Sequence, residues 1–360
     1  MPGEDQKKIR YTIPTDFTAS LIEKYLSLNE RISGSEIIEV YGALPYNITG
    51  HGRSADGLPV IDHAGLEEHI KFLHKNSISF NYLMSGILPT EITQNAKWLR
   101  DFESEMSTLV DTGIDSVTVT NDDLILFVLK NFPSLKVHIS LIKGIDTPDE
   151  AKKYDAMKVS SITLNPHTIN RKTKRITDII SVVSCEVRIY ANISCIHNCP
   201  DRDKHYGYVS SHSRQGKDAK TEKDPFMSNC VKKYMREREA LLMTPFIRPE
   251  DMPHYGKLGI SVFKLSDRKM PPHILLEIAE SYMEQKYTEN LFDLIFHRGV
   301  EWREETDDTL EKKDFPVIDN NKLGELEFFK NTTTLEGNEL KKFYTAATEA
   351  AVDGKYFWRS

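Results

Sequence analysis

Between residues 36 and 285, short β-branched runs alternate with amphipathic helical stretches, and this alternation restricts the fold more than any other feature of the chain. Eight runs read as strands: 37–41, 79–84, 116–120, 136–141, 160–164, 187–193, 242–246 and 261–265. Several are apolar throughout, as strands covered on both faces must be. The helices between them have legible starts. Asp62 heads a stretch that places Leu66, Ile70 and Leu73 on one face, and Thr147-Pro148-Asp149-Glu150 reads as a capping box with proline at the first helical position. Thr90 is expected to cap a helix containing Ile92, Ala96 and Leu99, while Pro249 and Pro272 open two more. Strand then helix, eight times over with short connections, specifies an α/β fold of the TIM type, a (β/α)8 barrel. An open doubly wound sheet fits less well, because no G-x-G-x-x-G follows the first strand.

The tails fall outside this rhythm. Residues 1–35 are expected to form an N-terminal helical extension, with a helix around 17–29 against the bottom of the barrel. Residues 286–360 form a mixed C-terminal extension with a charged stretch at 301–314 and a final helix near 340–351. Trp302, Phe328, Phe329 and Trp358 predict that this tail packs on the barrel or on a partner. The formal charge of −7 gives no general attraction to nucleic acid or anionic lipid. A local basic run, Arg171-Lys172-Thr173-Lys174-Arg175, reads as a solvated helix face. No apolar run approaches the ~20 residues of a membrane span. An N-terminus without an apolar core, and four cysteines in 360 residues, point to reduced thiols and a cytoplasmic setting.

Three of those cysteines fall in one loop region. Cys195 and Cys199 form a C-x3-C pair directly after the sixth expected strand, and Cys230 closes the same long loop, 193–230. Thiolates in that arrangement suit a soft metal centre. Cys185 begins the same strand ten residues before Cys195. At about 3.3 Å per residue the two would stand roughly 25–33 Å apart, at opposite ends of the barrel. Three thiols remain, and two readings of them stay open. With His205 as fourth ligand they make a Cys3His zinc site. Alternatively they hold a [4Fe–4S] cluster whose fourth iron takes another ligand, and a place at the barrel mouth favours this one.

In a barrel of this kind the loops after the strands build the site. Candidate substrate-binding residues at those ends are Tyr41, Tyr46, Asn47, Arg53, Asn81, His138, Asn165, Asn192 and Arg202. Arg248, Lys264 and Arg268 are the candidate catalytic groups that would grip an anion, with His205 beside the thiols. Sequences for G-x-S-x-G, H-E-x-x-H, a P-loop and C-x3-C-x2-C are absent. The chain therefore lacks the local signatures of α/β-hydrolases, zincins, P-loop enzymes and radical-SAM enzymes.

Three stretches resemble peptidase family U32, the collagenase-like group. They are Asn192-Ile193-Ser194-Cys195-Ile196-His197-Asn198-Cys199-Pro200, then Pro245-Phe246-Ile247-Arg248-Pro249-Glu250-Asp251, then Leu258-Gly259-Ile260-Ser261-Val262-Phe263-Lys264-Leu265-Ser266-Asp267-Arg268. The last departs from the family's usual ending in having Asp267 where glycine is common. The resemblance implies a barrel with an iron–sulfur cluster on Cys195, Cys199 and Cys230, one cysteine short of the four-cysteine set of some members. It also implies oxygen-independent hydroxylation, the activity of several members, with peptidase as the family's historical label. A third reading is a non-catalytic subunit whose zinc or cluster only orders the loop, since members work in pairs. The expected partners are a small-molecule or peptide substrate and a protein subunit, without membrane or general nucleic-acid binding.

Overall fold

The computed structural model describes residues 8–214, 224–299 and 315–354. The charged stretch 301–314, Trp302 and Trp358 lie outside the described residues. Eight parallel strands close into a barrel: β1 (Ile9–Pro14), β2 (Ser35–Gly42), β3 (Ser79–Met84), β4 (Ser116–Val119), β5 (Lys136–Ile139), β6 (Ser161–Thr163), β7 (Glu186–Tyr190) and β8 (Val262–Lys264). Closure runs through β1, which pairs with β2 on one side and with β8 on the other. Helices His63–Lys75, Ala96–Asp111, Asp122–Asn131, Pro148–Ala156 and Thr173–Ile180 cover the outside. Their buried faces (Leu66, Ile70 and Leu73 in the first; Phe102, Met106 and Leu109 in the second) form the layer between helix and sheet.

The barrel is as expected, but its count is reached differently. The described part of the expected helical extension, 8–35, belongs to the barrel itself: Ile9–Pro14 is the first strand, and the helix Ala19–Arg31 is the first of the outer layer. The barrel thus begins near Ile9 rather than at 36. Conversely, 242–246 is not a strand. Glu239–Met243 is helical, and β7 pairs directly with β8. The reason is visible in the carbonyls. The Arg171 guanidinium donates to Leu242 O at 2.8 Å and Thr244 O at 2.6 Å, so a side chain satisfies groups that a sheet neighbour would otherwise take. The Arg171 guanidinium also lies about 5 Å from the centroids of both the Phe246 and Phe328 rings. It is therefore buried, and the expected basic helix face loses its first member.

Start signals mostly hold. Asp62 accepts from Gly65 N, and both halves of the Thr147/Glu150 capping box are present. Thr90 instead begins a separate short helix, Thr90–Thr93, and Asn95 caps the longer one by accepting from Lys97 N and Trp98 N. The C-terminal extension packs on the barrel through Arg171, which donates to Tyr344 Oη at 2.7 Å, and through Phe328 stacked on Phe246.

Inside the lower barrel, polar side chains replace the usual aliphatic layers. Glu39 on β2 receives Arg188 Nη1 from β7 at 2.7 Å, Thr12 Oγ1 from β1 at 2.7 Å and Asn81 Nδ2 from β3 at 3.3 Å. His138 on β5 pairs with Ser161 Oγ at 2.7 Å, and its Nε2 lies 3.4 Å from Glu39. Burial alone would push the Glu39 carboxyl up, but Arg188 and His138 outweigh it and hold it well below the usual range. Removing one member of such a pair leaves a bare buried charge. Arg188→Met should lower unfolding free energy by about 3–5 kcal/mol, and adding Glu39→Gln should recover much of it. Urea unfolding of the single and double variants measures both.

Candidate functional site at the barrel mouth

Two adjoining cavities open at the carboxyl ends of the strands. The first, the mouth cavity, encloses about 80 Å³ and draws on strand ends around the barrel, among them Tyr41, Thr118, Thr163, Tyr190 and Lys264. Arg53, Asp267, Arg268 and Cys195 complete its polar rim. The second, also about 80 Å³, is lined by Cys195, Cys199, Cys230, Arg202, His205 and Asp224. Cys195, Arg53 and Tyr206 line both. Three thiols remote in sequence therefore share one cavity, and that cavity abuts the mouth.

Local structure explains how the loop is held. Asn192, just past β7, clamps the strand-β8 exit in two directions: Nδ2 donates to Ser266 O at 3.0 Å, and Oδ1 accepts from Ser266 N at 2.8 Å. The chain then turns outward through Cys195 and Cys199 to the helix Arg202–His212. The helix Pro225–Arg236 returns Cys230, with Tyr234 one turn further on. Tyr234 Oη donates to Ser194 O at 2.8 Å and meets Thr244 Oγ1 at 2.9 Å, tying that helix to the residue before Cys195. Burial raises the Tyr234 phenol well above its ordinary value, against the Thr244 hydrogen bond, and the three cysteines add to the rise.

The mouth is strongly cationic. Arg268 is buried and donates from Nη2 to His51 Nδ1 at 3.2 Å. His51 Nε2 faces Leu44 O and Pro45 O, so it holds the proton and Nδ1 is the acceptor. Burial, then the neighbouring Arg268 charge, keep this ring neutral. Arg53 Nε donates to Asp267 Oδ2 at 2.8 Å. Burial alone would raise Asp267, yet Arg53 and the nearby His297 bring it down to about 2. Lys264 Nζ stands 3.9 Å from the Tyr41 ring centroid, and burial lowers it to about 7.

The expected site residues thus separate into groups. Tyr41, Arg53, Lys264 and Arg268 line the mouth cavity, and Arg202 and His205 line the thiol cavity. Asn81 and His138 belong to the polar interior beneath, and Asn192 is the clamp. The others stand elsewhere. Arg248 is fully engaged with Asp251, at 2.8 and 3.0 Å, and with Asn320 O at 3.1 Å, joining barrel to C-terminal extension. Asn47 staples its own loop to Leu83 O, Asn165 caps the turn Pro166–Ile169, and Tyr46 lines neither cavity. Cys185 lies at the amino end of β7, where burial and Asp155 push its thiol up to about 12, at the opposite end of the strand from Cys195. Tyr190, Tyr206, Asp224 and Tyr234 were not singled out from sequence. Tyr206 and Tyr234 each follow a site residue, Arg202 and Cys230, by one helical turn, which is the signal that would have found them.

The donor set can be compared with what each metal centre needs. Among the described residues no three His, Cys, Asp or Glu side chains stand close enough to share one metal ion. His205, the expected fourth zinc ligand, has its Nε2 on Asp224 Oδ2 at 2.7 Å. A cluster distributes its ligands over separate irons and needs thiols around a cavity rather than pinched to a point. Arg202 adds a second fit: it lines this cavity, and its buried Nε and Nη2 have no hydrogen-bond partner among the described residues. An orphaned guanidinium facing three thiols matches an anionic sulfide-rich group.

A closed parallel barrel with a cationic mouth and a thiol cavity beside it defines the class. No protein-family profile matches the sequence. An uncharacterized protease of Methanocaldococcus jannaschii, MJ1657, is 27% identical over 315 residues, 87% of this chain and 89% of its own. The U32 peptidase Mk0906 superposes with a TM-score of 0.52 at 17% identity, covering 74% of this chain and 96% of that one, a likeness of fold. The chain is thus similar along most of its length to an uncharacterized protease and shares its barrel fold with a U32 peptidase. Among the described residues no helix is long and apolar enough to cross a membrane.

The Asp267 carboxylate has a measurable signature. Its folded pKa is depressed, so its stabilisation is present above pH ~4 and fades as pH falls towards 2. Asp267→Asn should cost about 2 kcal/mol at pH 7 and flatten the acid limb of the stability curve in that window. Urea midpoints against pH test this; an unchanged acid limb would count against the Arg53–Asp267 pairing.

Proposed function

We propose that this chain is an iron–sulfur enzyme that oxidatively modifies a substrate in the mouth cavity, by hydroxylation without molecular oxygen. The observation that supports this most is the cavity where Cys195, Cys199 and Cys230 meet the orphaned Arg202 guanidinium, one wall away from Lys264 and Arg268. Cys195, Cys199 and Cys230 would hold the cluster, and Arg202 would donate to its sulfur. When bound, a cluster with three cysteine ligands supplies an iron open to an oxygen-bearing donor. The protein's own groups do the rest. Arg268, oriented by neutral His51, and Arg53, oriented by Asp267, present positive charge to an anionic substrate. Tyr41 and Tyr190 wall the mouth, and burial with Asp267 nearby raises the Tyr190 phenol to about 12, so it stays protonated and able to donate.

A hydrolase remains the second reading, favoured by the relatives' names and by the His205–Asp224 pair in the same cavity as three thiols. Such a site would need a cysteine as nucleophile and no iron.

Anaerobic purification followed by iron, sulfide and zinc quantification separates the two. The cluster reading expects about four irons and four sulfides per chain. Cys195→Ser, Cys199→Ser and Cys230→Ser should each lose most of the iron, while Cys185→Ser keeps it. Full iron in Cys195→Ser, or peptide hydrolysis by iron-free protein, would overturn it.

A further inference from the structure

Lys264 is a lysine without a counter-ion. Among the described residues it makes no salt bridge, although Glu39, the nearest carboxylate to influence it, lies in the barrel below. Both Glu39 oxygens are committed: Oε1 takes Arg188, Thr12 and Asn81, and Oε2 lies towards Arg188 Nη2 and His138. The cations Arg188, Arg268 and Arg53 also act on Lys264, and the Asp267 carboxylate on the same cavity is held by Arg53. Its aliphatic stem leaves β8, its head group lies over the Tyr41 ring, and it lines the mouth cavity. Salt-bridging is therefore not its role, and a cation placed among three guanidinium groups would be a poor anion clamp compared with a fourth arginine.

We propose that Lys264 is a nucleophilic amine that condenses with the carbonyl of a small substrate bearing an anionic group, which Arg268 holds beside it. This extends the reading of the mouth as the substrate cavity and does not depend on the cluster. The geometry supplies both halves. Arg268, whose only hydrogen-bond partner among the described residues is His51, presents its fork to the same cavity as Lys264 Nζ. The environment supplies the free base: with a pKa of about 7, roughly half of the amine is neutral at neutral pH, against about one part in two thousand for an ordinary lysine. The neutral nitrogen adds to the carbonyl carbon, forming the C–N bond and a carbinolamine. The C–O bond then breaks, and the carbonyl oxygen leaves as water with the two amine hydrogens. One amine and one carbonyl give one imine and one water, without oxidation or reduction.

Hydride trapping tests it. Full-length protein is incubated at pH 7 with glyoxylate, with glycolaldehyde phosphate or with neutral propanal, reduced with sodium cyanoborohydride, and mapped by peptide mass spectrometry. With at least one of the anionic aldehydes, the secondary-amine adduct should form at Lys264 at least tenfold faster than at any other lysine. Which of the two reacts faster distinguishes carboxylate from phosphate as the held group. Arg268→Gln should slow the anionic probe about tenfold more than it slows propanal, and Lys264→Arg should abolish the adduct with thermal stability retained. Labelling spread evenly over exposed lysines in the wild-type protein, or equal rates for anionic and neutral aldehydes, would overturn the proposal. Iron measured in the same samples keeps the two readings apart: site-selective trapping in iron-free protein sinks the cluster alone, and absent trapping with iron intact sinks the amine alone.

Discussion

The structure depends on the direct pairing of β7 with β8. Arg188 faces Val262 and Tyr190 faces Lys264 across adjacent strands, so nothing between those residues can enter the sheet. The chain therefore leaves the barrel after Tyr190 and rejoins it at Val262. The Asn192–Ser266 clamp fixes both ends of the excursion at once, because it ties the exit of β7 to the exit of β8 through two hydrogen bonds. Cys195 comes three residues after that clamp, so its proximity to the mouth follows from the barrel's closure. Tyr234 and Arg171 fix the remainder, one through Ser194 O and the other through the carbonyls of 242–246.

The second consequence is electrostatic. Although the chain is acidic overall, its barrel axis is lined by Arg188, Lys264, Arg268 and Arg53, with Glu39 and Asp267 as buried anions. Each anion is tied to a guanidinium: Glu39 to Arg188, Asp267 to Arg53. Among the described residues Lys264 and Arg268 make no salt bridge. Net charge thus says little about the ligand, because a cavity with low-dielectric walls feels its own lining first. An anionic ligand would relieve the mutual repulsion that also lowers Arg268 to about 10, after burial.

The sequence conveyed the barrel because most strands are buried on both faces and several of the helices start at a capping residue. It concealed β1 because the barrel interior is polar. Ile9, Tyr11 and Ile13 alternate with Arg10 and Thr12, and Thr12 points inward to Glu39, so the continuous apolar signature is missing. It offered 242–246 as a strand because a short apolar run looks alike in a strand and in a buried helix end. The thiols were legible by rarity and spacing, and Cys185 was separable by strand length alone. Arg248 was not: as a strand-end arginine it resembles Arg268, and only its fixed pair with Asp251 tells them apart. Roles that depend on what a side chain is already bonded to lie beyond a linear pattern.

The shared wall between the two cavities has a further implication. Cys195, Arg53 and Tyr206 face both, so charge placed in the thiol cavity acts on the mouth across side-chain distances rather than through bulk water. Burial raises the Tyr190 and Tyr206 phenols, with Cys195 adding to the rise in both, which keeps them protonated at the boundary. Opposite charges only a few ångströms apart in a medium of effective dielectric near 20 interact by several kcal/mol, far more than across an exposed surface. A negative group among the three cysteines would therefore stabilise the cations of the mouth, while an anionic substrate arriving there would work against it. Arg202 on one side and Arg268 on the other let both anions be present, each with its own guanidinium. On this argument the two arginines are not interchangeable, since each answers to a different negative charge.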